Sequence, residues 1–322
     1  MIQTIGVLTS GGDSPGMNAA IRAVVKVGHK KGMRVFGIYD GYKGLIEDHM
    51  IELSDAQVSG IESHGGTILG SARLPEFKEP EVQKKAVEIL HKRGIQALVV
   101  IGGDGSYMGA QKLTNLGINC VGIPGTIDND ISSTDYTLGF DTAMNTITYC
   151  IDHLRDTSSS HHRCSVIEVM GNRCGDLTLM SGIGNGANLI VTPDHLMTYD
   201  QMVDEINYFH DVVGRKQVIV LIAEKMPEVN VQEAARIITE KTPYQAKWEI
   251  LGRIQRGGAP SAFDRYLGAS MGAYAVDRLA EGMGGIAVSI RNNSYTHFPI
   301  MEALSMKRPS REGIHQLIDL LK

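Results

Sequence analysis

The chain lacks any run of about 18 uncharged apolar residues, so its sequence offers no membrane-crossing helix. Its start, MIQTIGVLTSGGD, lacks a basic segment and a long apolar region; no signal peptide is read there, and a cytoplasmic location is expected. Cysteine is sparse. Cys120, Cys150, Cys164 and Cys174 share no C-x-x-C spacing, which points to buried thiols in reducing surroundings and away from disulfides or a zinc site. Basic charge is not in excess: 31 Lys and Arg against 36 Asp and Glu leave a net charge of -5, so no electrostatic footprint for nucleic acid exists. The pattern G-x-x-x-x-G-K-[ST] is missing, which excludes a P-loop. GIGNGA at 182–187 half resembles a dinucleotide loop but follows a helical pattern, and is set aside. No Pro/Ser-rich linker divides the chain. What it does have is 37 glycines, most of them directly behind short apolar runs.

A length of 322 residues suits one large domain or two medium ones. TIGVLT, RVFGIY, ALVVIG, NCVGI, SVIEVM, QVIVLIA, WEILGRI and GIAVSI read as strands. GMNAAIRAVVKVGHKKG, PEVQKKAVEILHKRG and DTAMNTITYCIDHLRDT read as helices between them. Alternation of this kind predicts an α/β fold with mainly parallel sheets covered on both faces. The polar run DTSSSHHR, Asp156 to Arg163, is the expected crossing between lobes.

Two strand ends carry one tripeptide, in VLTSGGDSPGMNAA and VVIGGDGSYMGAQ. Gly11-Gly12 and Gly102-Gly103 allow tight turns and close approach to a ligand. The helix behind each offers free N–H groups and a positive dipole end for phosphate. The plain alternative is a helix cap by Asp13 or Ser106; two such loops together favour phosphate. Asp104 suits either a turn or Mg²⁺ held with phosphate oxygens. PGTIDND follows another strand, and Asp128-Asn129-Asp130 could cap a helix, ligate a metal or supply a general base. Beside two phosphate loops, the base for a phosphoryl-accepting hydroxyl is the stronger reading. Arg163, Lys247, Arg253 and Arg256 could face an anionic substrate group. His161-His162 read as a polar loop, and Met197, Met202 and Met226 as core filling.

GGDSPGMNAAIR, GSAR followed by PEF, GGDGS, PGTIDND, GFDTA, SSSHHR, EVMG, CGDL, IQRGG and MGAYAVD occur in order along the chain. In this set the sequence resembles the bacterial-type ATP-dependent 6-phosphofructokinases, from about residue 2 to about residue 310. The resemblance implies transfer of the ATP γ-phosphoryl group to the 1-hydroxyl of fructose 6-phosphate, Mg²⁺ as cofactor, and a cytosolic homotetramer. It implies two α/β/α lobes, 1–139 with 255–305 binding ATP and 140–254 with 306–322 binding the sugar phosphate, and an active site in the cleft between them. Asp128 would be the base, with Thr126, Ile127 and Asp130 at the sugar and the transferring group. Asp104 would serve Mg²⁺. Gly12, Tyr42, Arg73, Leu74, Gly103, Asp104, Gly105 and Ser106 would line ATP, with Arg73 also offsetting charge on the phosphoryl group. Met170, Gly171, Asn172 and Glu224 would contact the sugar, and Arg163, Lys247, Arg253 and Arg256 its phosphate. Arg163 and Lys247 would reach across from a neighbouring subunit.

Pyrophosphate-using relatives carry Asp after GGD and Lys after the Pro of PGTIDND; Gly105 and Gly125 here imply ATP. The substrate side departs from the family at Arg253 for His, Lys247 for Arg, Asn172 for Arg and Leu74 for an aromatic residue. A compensated pocket, with Arg253 and Arg173 restoring charge, is the plain expectation. A different sugar phosphate, or a non-catalytic regulatory homologue, is the alternative. Arg22, Lys26, Arg155, Arg215 and Lys216 retain part of the family's effector site for ADP or phosphoenolpyruvate. Asp55, Ala56, Gly60, Asn188 and Val213 depart from it, and Asp55 would repel an effector phosphate, so regulation is expected to be weak or altered.

Overall fold

A computed structural model describes residues 2–321. The chain divides into two compact units. The first holds the chain up to Ile127, Ile131–Thr142 and Arg256–Arg308; the second holds Asp128–Asp130, Ala143–Gln255 and the chain from Pro309 onward. Residues 128–130 group with the second unit although the chain on either side of them belongs to the first.

In chain order the strands are β1 Thr4–Ser10, β2 Arg34–Ile38, β3 Met50–Glu52, β4 Ala97–Gly102, β5 Asn119–Pro124, β6 Arg163–Val169, β7 Leu189–Val191, β8 Val218–Ala223, β9 Gln245–Ile250, β10 Ile286–Arg291 and β11 Ser294–Pro299. The helices are α1 Met17–Lys30, α2 Gly41–Ile46, α3 Pro80–Lys92, α4 Asp104–Asn115, α5 Phe140–His161, α6 Asp176–Gly184, α7 Tyr199–Asp211, α8 Val231–Lys241, α9 Ala262–Ala280, α10 Ile300–Ser305 and α11 Glu312–Leu321.

The first unit is built on a sheet in the order β11-β10-β5-β4-β1-β2-β3, parallel except for the two edge strands. Period-two alternation sends successive side chains to opposite faces. Ala97, Val99 and Ile101 of β4 enter one core with α1 and α9, while Leu98 and Val100 enter another with α3 and α4. Both faces are thus covered, which is why ALVVIG reads as an unbroken apolar run. Helix α9 lies close on α1 because Gly268 and Gly272 leave room. A Cβ at either would stand 2.6 Å from a carbonyl oxygen, of Gly16 and Ala20 respectively.

The second unit has a fully parallel sheet in the order β7-β8-β6-β9. Cys164 and Val166 of β6 and Val218, Val220 and Ile222 of β8 pack against Met202, Ile206 and Phe209 of α7 and Ala234, Ala235 and Ile238 of α8. Met197 and Met226 border this core, as read from the sequence.

Two expectations change. The run DTSSSHHR is not a crossing loop, because α5 continues through it to His161. Two of its three serines are bonded within ordered structure: Ser160 Oγ donates to the Asp156 carbonyl at 3.0 Å, and Ser158 Oγ meets Ser165 Oγ at 2.6 Å. Only His162 turns, at φ 52°, and Arg163 already opens β6. The chain changes unit instead inside α5, between Thr142 and Ala143. The run WEILGRI is strand only as far as Ile250; Gly252–Arg256 winds into a 3₁₀ turn, begun at Gly252 with φ 56°.

Candidate active site

Three motif loops leave one edge of the first sheet. Ser10 pairs with Gly102 across β1 and β4, and Gly102 pairs with Pro124 across β4 and β5. Strands β1 and β4 are also where the connections diverge, β1 leading to β2 on one side and β4 to β5 on the other. In open parallel sheets, ligands bind beyond the carboxyl ends of strands at such a switch point. The two GGD loops therefore stand side by side at the place where the topology provides a crevice.

Neither loop is held by the cap considered for it. Helix α1 begins at Gly16 (φ 99°) and α4 at Gly103, both with no side-chain cap bond. Ser106 donates its Oγ to the Ser10 carbonyl at 3.0 Å, tying the α4 turn to the end of β1. Tyr42, 5% exposed, donates its hydroxyl to the Ser106 carbonyl at 2.6 Å and stacks on Phe77 with ring centroids 4.2 Å apart. Ser71, unremarked in GSAR, donates to the Gly11 carbonyl at 2.6 Å. These bonds tether the backbones of both loops. Gly103, Asp104 and Gly105 occupy the start of α4, the last two exposed. Arg73 is exposed in the irregular segment before Pro75–Lys78, and Leu74 packs on the core that contains Tyr42 and Phe77. Arg256 falls in this unit, whereas Arg163, Lys247 and Arg253 fall in the second. A methyl on Gly12 would lie 3.2 Å from Arg256 Nη1.

Thr126 and Ile127 continue β5, and the Thr126 carbonyl accepts the Thr137 hydroxyl at 2.6 Å. Thr126 and Asp128 are half-buried and Ile127 is 2% exposed. Among the described residues no group of three or more His, Cys, Asp or Glu could hold a metal. Asp104 alone offers one hard oxygen donor at a helix start suited to phosphate. That set fits Mg²⁺ arriving with a polyphosphate, since this ion keeps water and phosphate oxygens alongside one or two carboxylates.

The second unit gathers Asp130, Met170, Gly171, Asn172 and Glu224. Glu224 follows β8, and its Oε1 accepts the Gly171 and Asn172 N–H groups at 3.2 and 2.7 Å. Asn172 donates from Nδ2 to Asp130 Oδ2 at 3.3 Å and accepts from Lys225 Nζ at 2.8 Å. Lys225 is a residue the sequence reading missed. Gln255, fully buried, accepts the Met170 N–H at 3.1 Å. Asn129, Asn172 and Lys225 all sit at positive φ (52°, 57° and 59°), a cluster of disfavoured backbone typical of functional loops. Burial and the neighbouring Glu224 raise the pKa of Glu168.

Within one chain the cations expected at the substrate phosphate divide. Arg163 opens β6 opposite Gln245, to which it donates at 3.1 Å; Lys247, two positions along β9, shares that face. Arg163 and Met170 stand at opposite ends of β6, roughly 20 Å of strand apart. Arg253 is exposed on the 3₁₀ turn, and the compensating Arg173 is exposed beside Asn172, which takes its cation from Lys225 instead. Of the expected effector cations, Arg22 pairs with Glu62 at 3.2 Å, Lys26 with Asp55 at 2.8 Å, and Arg155 with the Asn185 carbonyl. Arg215 and Lys216 lie exposed after α7. Asn188 spends its side-chain oxygen on the Ile219 N–H at 2.9 Å.

A two-unit α/β scaffold with paired glycine–aspartate phosphate loops defines a class of phosphoryl-transfer proteins. Comparison with known proteins gives the family. The phosphofructokinase family model matches residues 4–279, and the chain belongs to that family. It is 51% identical to an ATP-dependent 6-phosphofructokinase of Photobacterium profundum over 322 residues, covering 100% of both chains. It is 52% identical to the enzyme of that name from Vibrio cholerae, again over 100% of both, and 54% identical to that of Serratia proteamaculans over 96% of both. Among solved structures, phosphofructokinase from Saccharomyces cerevisiae superposes with a TM-score of 0.89 at 34% identity, over 99% of this chain and 47% of the yeast chain. This chain thus spans about half the length of that relative. A pyrophosphate-dependent phosphofructokinase from Marinobacter aquaeolei, at 20% identity and a TM-score of 0.86, shares the fold.

Proposed function

We propose that the chain transfers the γ-phosphoryl group of ATP to the 1-hydroxyl of fructose 6-phosphate, giving fructose 1,6-bisphosphate and ADP. The observation that carries this is the row Ser10–Gly102–Pro124, from which two phosphate loops and the PGTIDND segment emerge together. The full-length relatives bear the corresponding name and favour it over another sugar phosphate or a non-catalytic homologue.

Asp128 takes the proton of the sugar 1-hydroxyl as its oxygen attacks the γ-phosphorus and the bond to the ADP oxygen breaks. General-base help of this kind contributes about 10²–10⁴-fold. Thr126, Ile127 and Asp130 hold the sugar and the transferring group; Met170, Gly171, Asn172 and Glu224 hold the sugar. Gly12, Tyr42, Arg73, Leu74, Gly103, Gly105 and Ser106 form the ATP side, where Arg73 offsets charge on the phosphoryl group. Asp104 would hold Mg²⁺ arriving with the nucleotide, and the ion would supply charge neutralisation there. Arg253 and Arg256 face the sugar phosphate.

Arg163 and Lys247 serve the active site of a second copy in a homotetramer. Edge strand β9 supports this: beside an open ladder it exposes Trp248 and Ile250, 45% and 49% exposed, an arrangement that invites a partner. The enzyme works in the cytoplasm. Response to ADP or phosphoenolpyruvate is weak, because carboxylates already neutralise Arg22 and Lys26.

The test is a steady-state assay with Mg²⁺ and fructose 6-phosphate, comparing ATP with pyrophosphate as donor, and Asp128→Asn with the parent. Turnover with ATP alone and a fall of about 10²–10⁴-fold in the variant are expected. Absence of turnover with either donor, or an unaffected variant, refutes the reading.

A further inference from the structure

We propose that Arg311 and Asp176 form a strut that sets the backbone of the loop carrying Asp128 and Asp130, which makes Arg311 a positioning residue for the reaction. The inference rests on the reading of Asp128 as base. Asp176 opens α6, and its side chain is only 3% exposed. Arg311, on the segment leading into α11, grips it in a two-pronged fork, Nε to Oδ1 at 3.1 Å and Nη2 to Oδ2 at 2.7 Å. The same Oδ2 accepts from Asn129 Nδ2 at 3.0 Å. Asn129 is 4% exposed, stands between the two loop aspartates and holds φ 52°.

Each link has a physical consequence. The bidentate guanidinium gives this buried carboxylate a partner with fixed direction. Its two oxygens offer enough acceptor sites to take Arg311 and the Asn129 amide at once. That amide bond restrains the left-handed conformation of Asn129. Rotation there would swing Asp128 and Asp130 in opposite senses, and misplacement by about 1 Å can cost on the order of 10²-fold in rate. Loss of Arg311 removes the fork that fixes the Asp176 carboxylate, and its hold on Asn129 weakens. Sequence separation concealed the arrangement: Arg311 is 135 residues from Asp176 and outside every motif.

The experiment uses the full chain, with Arg311→Met, Arg311→Lys, Arg311→Ala, and Ile318→Ala as a control that loosens the packing of α11 on α6. Arg311→Met is expected to lower kcat by about 10–10²-fold with KM for ATP little changed, because the strut touches the acceptor loop and not the nucleotide loops. Arg311→Lys should retain part of the rate, and millimolar guanidinium should restore part of it to Arg311→Ala but not to Ile318→Ala. Amide hydrogen exchange across 127–131 should quicken in folded Arg311→Met. Parental kcat and parental exchange in that variant overturn the proposal, as does a loss in Ile318→Ala equal to that in Arg311→Ala with no guanidinium rescue. If the parent itself does not phosphorylate fructose 6-phosphate, the functional reading fails while the exchange measurement still decides the strut.

Discussion

Replacing Gly105 by Asp separates what the fold needs from what the donor needs. Gly105 is the second residue of α4, and a Cβ built on it meets nothing within 4 Å. An added side chain there costs no packing. Aspartate in a first helical turn gains about 0.3–1 kcal/mol from the helix dipole, and it no longer carries glycine's helix penalty of about 1 kcal/mol. Stability should therefore hold or rise slightly. Binding should not. The new carboxylate sits one residue from Asp104, at the helix end assigned to phosphate. At about 5 Å and an effective dielectric near 20, one pair of like charges costs roughly 3 kcal/mol, or about 10²-fold. The assay is kcat/KM for ATP beside a thermal melt. A loss on the order of 10²-fold with an unchanged or higher melting temperature is expected. A folded variant that uses ATP almost as well as the parent would refute the placement of phosphate at α4, and a variant that unfolds would make Gly105 structural. Gly125 is a different case. A Cβ there would stand 2.9 Å from Met17 Cε and 3.0 Å from Ile101 Cγ2, so any side chain overpacks the core by about 1–3 kcal/mol. Of the two glycines that imply ATP, one is free to change and one is fixed by packing.

Two further outcomes follow from carboxylates outside the reacting loop. Burial raises the pKa of Asp264 from 3.8 to about 6, against three hydrogen bonds from Gly139 and Thr142 that favour the charged form. The folded chain therefore holds this proton more tightly, so the associated stability is present below about pH 4 and lost as pH rises through about 6, up to roughly 3 kcal/mol. Urea unfolding from pH 4 to 7 should show this slope in the parent and not in Asp264→Asn; equal slopes refute it. Asp55→Ala should release Lys26 and His29, bonded to it at 2.8 and 2.7 Å, and strengthen the response of the rate to ADP over the weak one proposed for the parent. A sensitive response in the parent would overturn the view that Asp55 neutralises this cluster.

The strands with continuous apolar runs were legible because both faces of each sheet are buried: β1, β4 and β8 have no exposed residue. The edges were not. Strands β3 and β7 are three residues long, and β11 alternates only weakly in burial, so period-two patterning had little to act on. DTSSSH misled because Ser favours turns by bonding its own backbone; here Ser160 bonds the carbonyl four residues back within an intact helix. In the candidate site, the sequence singled out residues by side-chain type and passed over those that bond to the backbone of these loops. Ser71 and Gln255 lie within motifs but act through a carbonyl and an N–H, contacts that no residue-type pattern announces. Lys225 carries a charge to Asn172 from the next strand end, where the sequence reading had looked to Arg173.

The position of Arg163 bears on the proposed assembly. Parallel strands send their functional loops out at one edge, and Met170 to Asn172, Glu224 and Asp130 all obey that rule in the second unit. Arg163 breaks it, opening β6 at the other edge with Lys247 beside it on β9. A six-carbon sugar phosphate is far shorter than the seven-residue strand that separates Arg163 from Met170. One molecule of substrate therefore cannot touch both groups of a single second unit. If both groups serve the reaction, they serve different substrate molecules, and the cations complete the site of another chain. The exposed Trp248 and Ile250 lie on the same strand as Lys247 but on its other face, so an assembly that covered the edge of β9 would bury them while Lys247 stayed on the face it shares with Gln245. Assembly and substrate binding would then be two consequences of one strand edge.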